Sequence, residues 1–299
     1  MLDRLYVSLK ARPFVMVLGR GNRDMAALPR AFAKSMGAEG RYLEIKVPTD
    51  WMDSSDLFGH LDLMGKFVPG AIIDFLKMAQ NDPEQPYFLC LDGIHLSRAE
   101  YYLREVLTAI ERKTPLVPVI YYGRDQKALE TYGEIPLLEN LFIIGTTNLD
   151  YASLPLNQKL LDRVHTIYLQ EEEILPAEKV YDLQCRYDNV GDCLDQAQKY
   201  FPLFEQLNKI LMQANAYVGF GMRNDGILWL LNNDVLEESA AVDHIICQKV
   251  LTRVQGGQKL WPVLEGMLEY CQGKYPRAEK NLKRMQKLLQ EEGYTSYWS

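Results

Sequence analysis

The sequence predicts an α/β domain followed by an all-helical domain. Through residues 1–170, short runs that are apolar throughout alternate with amphipathic runs. Continuous apolar runs are typical of strands buried on both faces, in a mostly parallel sheet with helices on each side. After Gln170 only amphipathic helical runs follow, with EEEILP as a plausible linker. We therefore expect an α/β core over 1–170 and a helical domain over 171–299.

Five apolar runs predict the strands of the core, and amphipathic runs predict its helices. The strands are 13–18 (PFVMVL), 42–47, 87–92 (YFLCLD), 140–148 and 166–169. The helices are 26–36, which ends at Gly37, 74–80 and 97–112. In the last of these, apolar residues at 103, 106, 107 and 110 have the i, i+3, i+4, i+7 spacing of one buried helical face.

The second domain is predicted as a series of helices. They are 177–187, 193–216, 225–233, 242–254, 261–271 and 277–292. The last one starts after Pro276 and stops at Gly293, which is the usual pattern of helix punctuation. No internal repeat or low-complexity segment interrupts either domain.

Composition restricts the class of protein. The 299 residues are 47% apolar and 24% charged, with a net charge of −7. A mildly acidic chain argues against a freestanding nucleic-acid binder. No apolar run approaches the ~18 residues of a membrane span, and the N-terminus does not resemble a signal peptide, so we expect a cytoplasmic protein. Five scattered cysteines and four histidines lack metal-site spacing, which indicates reduced thiols.

The turn after the first strand is where a phosphate loop would lie. The pattern G-x-x-x-x-G-K-[ST] supplies backbone amides, a lysine and a hydroxyl on Mg²⁺ to hold phosphates. Here Gly19 matches and Gly21 adds a second glycine. Asp24, Met25 and Ala26 stand where Gly, Lys and Ser/Thr are required. An ordinary strand–helix turn is the alternative interpretation of this segment.

Three further positions follow strands or precede one. Asp92 ends the strand over 87–92, where an acid can hold Mg²⁺ through water, but Gly93 replaces the glutamate that would polarise the attacking water. Asn148 could orient a water, touch a γ-phosphate or serve as a turn residue. Arg163 could reach a neighbouring molecule or pair with Asp162.

Several segments together resemble one family. They are WMDSSDLFGH (51–60), GKFVPG (65–70), PYFLCLD (86–92), SRAEYY (97–102), NLFIIGTTNLD (140–150), KLLDR (159–163), GFGMR (219–223), QKVLTRVQG (248–256) and GYTSYW (293–298). In order and spacing this set is similar to the AAA+ module of McrB-type restriction NTPases, over nearly the whole chain. The resemblance implies an αβα sandwich with a helical lid. It also implies a ring, usually hexameric, with nucleotide sites between subunits.

The resemblance implies roles for three residues. Asn148 matches the sensor in the fourth core strand, Arg163 the finger given to the next subunit, and Arg223 the lid arginine that meets the γ-phosphate. The phosphate-loop Lys and Ser/Thr and the Walker B glutamate cannot be carried over. We also expect the N-terminal DNA-reading domain of such proteins to be absent, since the module starts almost at Met1.

The leading functional hypothesis is a catalytically degenerate AAA+ subunit or regulator of a restriction or anti-phage defence assembly. It binds no nucleotide, or binds ATP or GTP weakly with Mg²⁺ at Asp92. Its expected partners are AAA+ subunits in a homo- or hetero-oligomeric ring and a McrC-like nuclease. Contact with DNA would be only indirect.

Two alternatives stay open. One is an ATP- or GTP-binding enzyme with weak hydrolysis, in which Arg20 or Arg23 replaces the lost lysine. The other is a nucleic-acid-binding module that uses the basic run KNLKRMQK over 280–287. Lys280, Lys283, Arg284 and Lys287 share roughly one helical face, which could follow phosphates or could be the solvated back of an amphipathic helix.

Overall fold

The computed structural model describes residues 1–20, 24–112, 120–137, 140–149, 158–169, 183–214 and 216–298. The chain divides into two compact units, Met1–Leu183 and Gln184–Ser299. The domain boundary expected between residues 170 and 171 lies outside the described residues.

The first unit is organised around a five-stranded sheet in the order β2-β5-β6-β1-β7. Every pairing in it is parallel. The strands are β1 (Phe14–Gly19), β2 (Tyr42–Lys46), β5 (Tyr87–Asp92), β6 (Leu141–Asn148) and β7 (His165–Leu169). All six residues of β1 are buried, as are the first five of β5 and the first seven of β6. This burial explains why these strands read as continuous apolar runs.

Helices connect and flank the strands of this sheet. They are α1 (Leu2–Ala11), α2 (Ala27–Ser35), α3 (Ser55–Phe58), α4 (Ile73–Asn81), α5 (Ala99–Tyr102), α6 (Arg104–Arg112), α7 (Gln126–Tyr132) and α8 (Gln158–Leu161). The predicted helix over 97–112 is two helices that meet at Leu103. Helices α1, α3, α7 and α8 were not predicted. Neither was an antiparallel hairpin of β3 (Gly59–Leu61) and β4 (Phe67–Pro69).

The second unit is mainly helical. Its helices are α9 (Leu194–Ala197), α10 (Phe201–Leu211), α11 (Phe220–Asn232), α12 (Glu238–Ile245), α13 (Trp261–Cys271) and α14 (Pro276–Glu292). Pro202 lies in the first turn of α10, where a missing amide hydrogen costs nothing. A π-helical turn, Ile246–Val250, continues α12. Within the described part of the predicted helix 177–187, residues 183–187 are irregular.

A short antiparallel pairing accompanies these helices. It joins β8 (Gln255–Gly257) to β9 (Tyr294–Ser296) and was not expected from the sequence. Among the described residues, no helix combines the length and apolar character that a membrane crossing would require. No disulfide joins the five cysteines, all of which lie in described segments.

Candidate nucleotide site

The parallel sheet brings three of the sequence-predicted residues to one edge. Gly19 pairs in register with Asn148, and both end their strands. Asp92 ends β5, which lies on the other side of β6. The backbone amide of Leu149 donates to the Gly19 carbonyl at 2.8 Å and continues the β1–β6 pairing to the end of the strands. The carboxyl edge of a parallel sheet is where open α/β folds bind ligands.

Asp92 is held by a residue that the sequence did not single out. The Thr146 hydroxyl donates to Asp92 Oδ1 at 2.5 Å and accepts from the Gly93 amide at 3.1 Å. Thr146 is buried on β6, directly beside the end of β5. A buried hydroxyl that uses its donor and an acceptor in this way fixes the carboxylate and the turn after it.

Gly93 has a backbone conformation that disfavours the residue it replaces. Its φ is +76°, in the left-handed region, and it opens a single turn over Ile94–Leu96. A Cβ at this position would lie 2.9 Å from Leu96 Cδ1. A glutamate here would carry the steric cost of a left-handed L-residue, about 1–2 kcal/mol, and would also displace Leu96.

Asp24 occupies the amide end of the helix that follows β1. Its Oδ1 accepts from the Ala26 amide at 3.1 Å, and its Oδ2 accepts from Arg30 at 3.0 Å. The same guanidinium binds both carboxylate oxygens of Glu44, at 3.0 and 2.8 Å. An anion-binding phosphate loop presents its amides and positive charges to a ligand. Here the Asp24 carboxylate accepts hydrogen bonds from one such amide, that of Ala26, and from one cation, Arg30.

Buried apolar groups occupy the two positions at which a phosphate loop would carry lysine and a hydroxyl. Met25 and Ala26 are 5% and 1% exposed. The Met25 thioether lies against Gly19, so that a Cβ at Gly19 would be 2.9 Å from Met25 Cε and 3.5 Å from Leu169 Cβ. This contact explains the glycine at 19 without reference to phosphate. The end of β1 is therefore packed by a side chain that carries no charge.

Of the other residues proposed for the phosphate loop, Gly21 and Arg23 lie outside the described residues. Arg20 is exposed at the end of β1. A role for either arginine in place of lysine stays a hypothesis.

His95 is a polar group at this edge that the sequence analysis overlooked. It lies three residues after Asp92, and within the described structure both of its buried ring nitrogens have no hydrogen-bond partner. Burial lowers its pKa, and the Asp92 carboxylate opposes that shift. The only sequence signal was its place in DGIH, directly after a strand that ends in an acid.

The residues present fit Mg²⁺ poorly. Asp92 is the expected ligand, but one of its oxygens accepts from Thr146. The hydroxyl that a phosphate loop contributes to the metal is absent at Ala26. Within the described ranges, no group of three or more His, Cys, Asp or Glu side chains is placed to hold a metal ion.

Arg163 lies at the opposite edge of the sheet from Asp92. It lies two residues before β7, and its carbonyl accepts from Arg12, which lies two residues before β1, at 3.1 Å. Its guanidinium pairs with Glu111 at the end of α6, with Nη2 2.7 Å from Oε2. Because it lies at the amino ends of the strands, Arg163 is not placed to act at the carboxyl edge of its own sheet.

Arg223 belongs to the helical unit and is engaged by aromatic rings. Its guanidinium lies 4.7 Å from the Phe201 ring centroid and 5.0 Å from that of Phe220. It also donates to Asn224 Oδ1 at 2.9 and 3.2 Å. Cation–π stacking on two rings positions the guanidinium firmly.

The basic run on α14 is largely balanced by acids. Lys283 pairs with Glu279 at 2.6 Å, and Lys287 lies 3.8 Å from Glu291, both at i, i+4 spacing. Arg284 donates to the Tyr297 carbonyl. These contacts favour a solvated helix face over a phosphate-binding stripe.

Comparison with known proteins supports the fold of this chain but does not identify its function. A family model described as a domain of unknown function (DUF8727) matches residues 156–294, less than half of the chain. No curated protein sequence matches. A crystal structure from Cytophaga hutchinsonii, described as that of a candidate ATPase, aligns with 95% of this chain and 88% of its own, with a TM-score of 0.50 and 14% identity. NtrX from Brucella abortus aligns over 97% of this chain and 50% of its own, with a TM-score of 0.34 and 14% identity.

The predicted fold class is confirmed. A parallel five-stranded α/β sandwich followed by a helical region is the fold of AAA+ ATPases, and the Cytophaga structure shares it. At 14% identity this likeness carries the fold and not the activity.

Proposed function

We propose that this chain is a catalytically degenerate AAA+ subunit, which neither binds nucleotide tightly nor hydrolyses it at its own site. In this proposal it acts by assembling with other AAA+ subunits. Arg163 completes the site of a neighbour, and Asn148, Arg223 and Asp92 are remnants of the sensor and metal positions.

The observation that carries the proposal is the state of the α2 amide end. The Asp24 carboxylate already binds the Ala26 amide and Arg30. A nucleotide phosphate would bring a second anion to the same donors without a lysine to offset it. Repulsion between like charges and the loss of the existing bonds both oppose binding.

Hydrolysis would be weaker still. A positioned general base contributes roughly 10²–10⁴ in rate, and one preorganised donor to developing charge about 3 kcal/mol. Gly93 supplies no base, and Met25 supplies no phosphate-facing cation. Even with non-additivity, the loss of both leaves little turnover.

Calorimetric titration of the purified chain with MgATP and MgGTP tests the proposal. We expect no binding tighter than about 10 μM, which corresponds to roughly −7 kcal/mol. An active AAA+ subunit titrated under the same conditions is the positive control. Tighter binding, or phosphate release by the chain alone, would contradict the proposal.

The wider assembly is part of the same proposal. The McrB-like sequence segments support a restriction or anti-phage system in the cytoplasm, with a ring of AAA+ subunits and a McrC-like nuclease as partners. DNA would then be reached only through those partners. Co-purification of an AAA+ subunit with this chain is the direct test.

A second candidate is favoured by one observation. Asp92 keeps an ordered carboxylate at the carboxyl edge, fixed by Thr146. A weak ATP- or GTP-binding enzyme could use that carboxylate with a non-standard phosphate loop. In the titration above, micromolar binding that disappears with Asp92→Asn would favour this candidate.

A further inference from the structure

The tip of the β3–β4 hairpin is exposed and apolar. Leu63 and Met64, here called the hairpin tip, are 108% and 92% exposed. They are the most exposed of the large apolar side chains that the structure describes. Two adjacent apolar side chains held fully in water are uncommon on a protein with no use for them.

Hydrogen bonds hold the hairpin tip in a defined turn. Asp62 Oδ1 accepts from the amides of Met64 and Lys66, each at 2.9 Å, and the Asp62 amide donates to the Lys66 carbonyl at 2.9 Å. Gly65 supplies the left-handed residue of the turn, with φ +75°. The turn therefore holds in place the backbone that carries both apolar side chains.

The base of the hairpin is braced by an aromatic cluster. The Phe67 ring lies 4.8 Å from Tyr122 and 5.7 Å from Tyr132 between centroids. The Phe67 amide donates to Asp125 at 3.0 Å, and the same carboxylate caps α7. A rigid support of this kind lowers the entropy that docking would cost.

The charge around the hairpin tip excludes some occupants. Residues 50–66 contain four aspartates and one lysine, which gives −3 with His60 neutral. An acidic surface repels nucleic-acid phosphates and anionic lipid headgroups. It favours a protein surface that is apolar and positively charged.

The chain itself carries such a surface at the connection between α10 and α11. Met212, Tyr217 and Phe220, here called the α10–α11 surface, are 66%, 61% and 78% exposed. Residues 205–223 contain Glu205, Lys209 and Arg223, which gives +1.

The α10–α11 surface is also held in place. Asn208 and Val218 exchange two hydrogen bonds, at 3.0 and 2.7 Å, and Arg223 stacks on Phe220. Both exposed apolar surfaces are therefore supported by hydrogen bonds or ring contacts between described residues.

We propose that the hairpin tip of one copy docks on the α10–α11 surface of the next copy. Two different complementary surfaces make a head-to-tail contact, which closes into a ring when the rotation permits. Two side chains alone fall short of the ~800 Å² per partner of a standard interface, so the tip anchors a larger contact and does not pair with another tip. This inference rests on the proposed assembly of AAA+ subunits and names the surfaces that join them.

Sedimentation velocity of the full chain over a concentration series tests the contact. We expect the wild type to self-associate. Leu63→Ser/Met64→Ser and Tyr217→Ser/Phe220→Ser should each weaken the association constant at least tenfold. Met78→Ser, a 49% exposed methionine on α4, is the matched control and should associate like the wild type. Thermal melts establish that each variant folds.

Mixing the two double variants sharpens the test. Each keeps one intact surface, so an equimolar mixture should form a heterodimer with one complete junction and no larger species. A wild type that stays monomeric at every concentration, tip variants that associate like the wild type, or a mixture without heterodimer would overturn the inference. No nucleotide enters this assay, so its failure is distinct from failure of the nucleotide-binding test.

Discussion

Arg30 reaches back along α2 to bind the Asp24 carboxylate, 3.0 Å from Nη1 to Oδ2, at the point where an active phosphate loop would receive its ligand. Both side chains are about half exposed, at 51% and 56%. An exposed pair of this kind contributes about 0–1 kcal/mol to folding. The pair matters because it holds the negative charge of Asp24 at the start of α2, and not because it stabilises the fold.

Removal of that charge should unmask anion binding. Asp24→Gly frees the Ala26 amide and one side of Arg30, so the variant should bind pyrophosphate measurably more tightly than the wild type. The melting temperature should change little, because the lost ion pair is exposed. Titration calorimetry with pyrophosphate, with and without Mg²⁺, measures the difference.

The matched control for this experiment is Glu44→Gln. It frees the other side of Arg30 but leaves Asp24 in place. Pyrophosphate binding that rises equally in both variants would show that Arg30 alone limits binding, and the masking role of Asp24 would be wrong.

Restoration of the missing consensus groups should not restore turnover. Met25→Lys/Ala26→Thr lacks the carboxylate that positions water, and Met25→Lys places an ammonium at a 5% exposed position against Gly19. Addition of Gly93→Glu remains the minimum for recovery, but φ +76° makes that change destabilising by about 1–2 kcal/mol. Phosphate-release assays and urea unfolding of each variant check both statements.

Controls for the restoration series separate strain from chemistry. Gly93→Asn tolerates a left-handed backbone better than Gly93→Glu and should be less destabilised. Met25→Leu keeps the apolar contact and should fold normally. Rapid hydrolysis by the double variant alone would mean that the phosphate loop has been assigned to the wrong segment.

The sequence predicted the features of this site that depend on local patterns, and it missed those that depend on residues far apart in the chain. Short runs rich in apolar residues located every strand of the main sheet, and the acid at the end of 87–92 lies at the end of β5. Partners distant in the chain could not be read in this way. Thr146 lies 54 residues from Asp92, and Glu111 lies 52 residues from Arg163, for which the sequence suggested either a neighbouring molecule or the adjacent Asp162.

Backbone conformation was equally hidden from the sequence. From the sequence, Gly93 is only a position that lacks the expected glutamate, whereas in the structure the turn after β5 requires its positive φ. The β3–β4 hairpin was missed because its strands have three residues each, too few for an alternating pattern to register.

Thr146 should be important for folding because two groups depend on its hydroxyl. Thr146→Val leaves the Asp92 oxygen and the Gly93 amide without their partner, which should lower the free energy of unfolding by about 1–3 kcal/mol. Thr146→Ser keeps the hydroxyl and should lose less. Urea denaturation of both variants measures the difference, and a loss for Thr146→Ser as large as that for Thr146→Val would show that the hydroxyl contributes no more than the methyl group.

His95 should make stability depend on pH. Burial lowers its folded pKa below the unfolded value of about 6.5, so its contribution is complete above pH 6.5 and is lost as pH falls through the folded pKa. The wild type should therefore lose more stability than His95→Gln between pH 7 and pH 5. Thermal melts across that range test this, with His60→Gln, an exposed histidine, as the control. Parallel pH profiles for wild type and His95→Gln would contradict it.

Arg163 should act in trans. It lies at the amino ends of the strands, away from Asp92, where it can face another molecule but not its own candidate site. A finger stabilises transition-state charge without a phosphate loop of its own, and such fingers are worth roughly 10³–10⁵ in rate. In the free chain Glu111 holds the guanidinium at 2.7 Å, and that pair must open or shift for Arg163 to reach a phosphate.

The finger role and a purely structural role of Arg163 predict different results in a mixed assembly with an active McrB-type subunit. Arg163→Ala should lower the NTPase rate of the mixture by at least tenfold, whereas the free chain should lose only the ~0–1 kcal/mol of a partly exposed ion pair, whose Arg163 and Glu111 side chains are 26% and 59% exposed. Arg163→Lys keeps the charge but loses the planar fork and should recover only part of the rate. Glu111→Gln removes the competing carboxylate and should keep or raise the rate. If the rate is indifferent to Arg163→Ala although co-assembly is detected, or if Glu111→Gln and Arg163→Ala lower it equally, the ion pair is structural and the trans role is wrong.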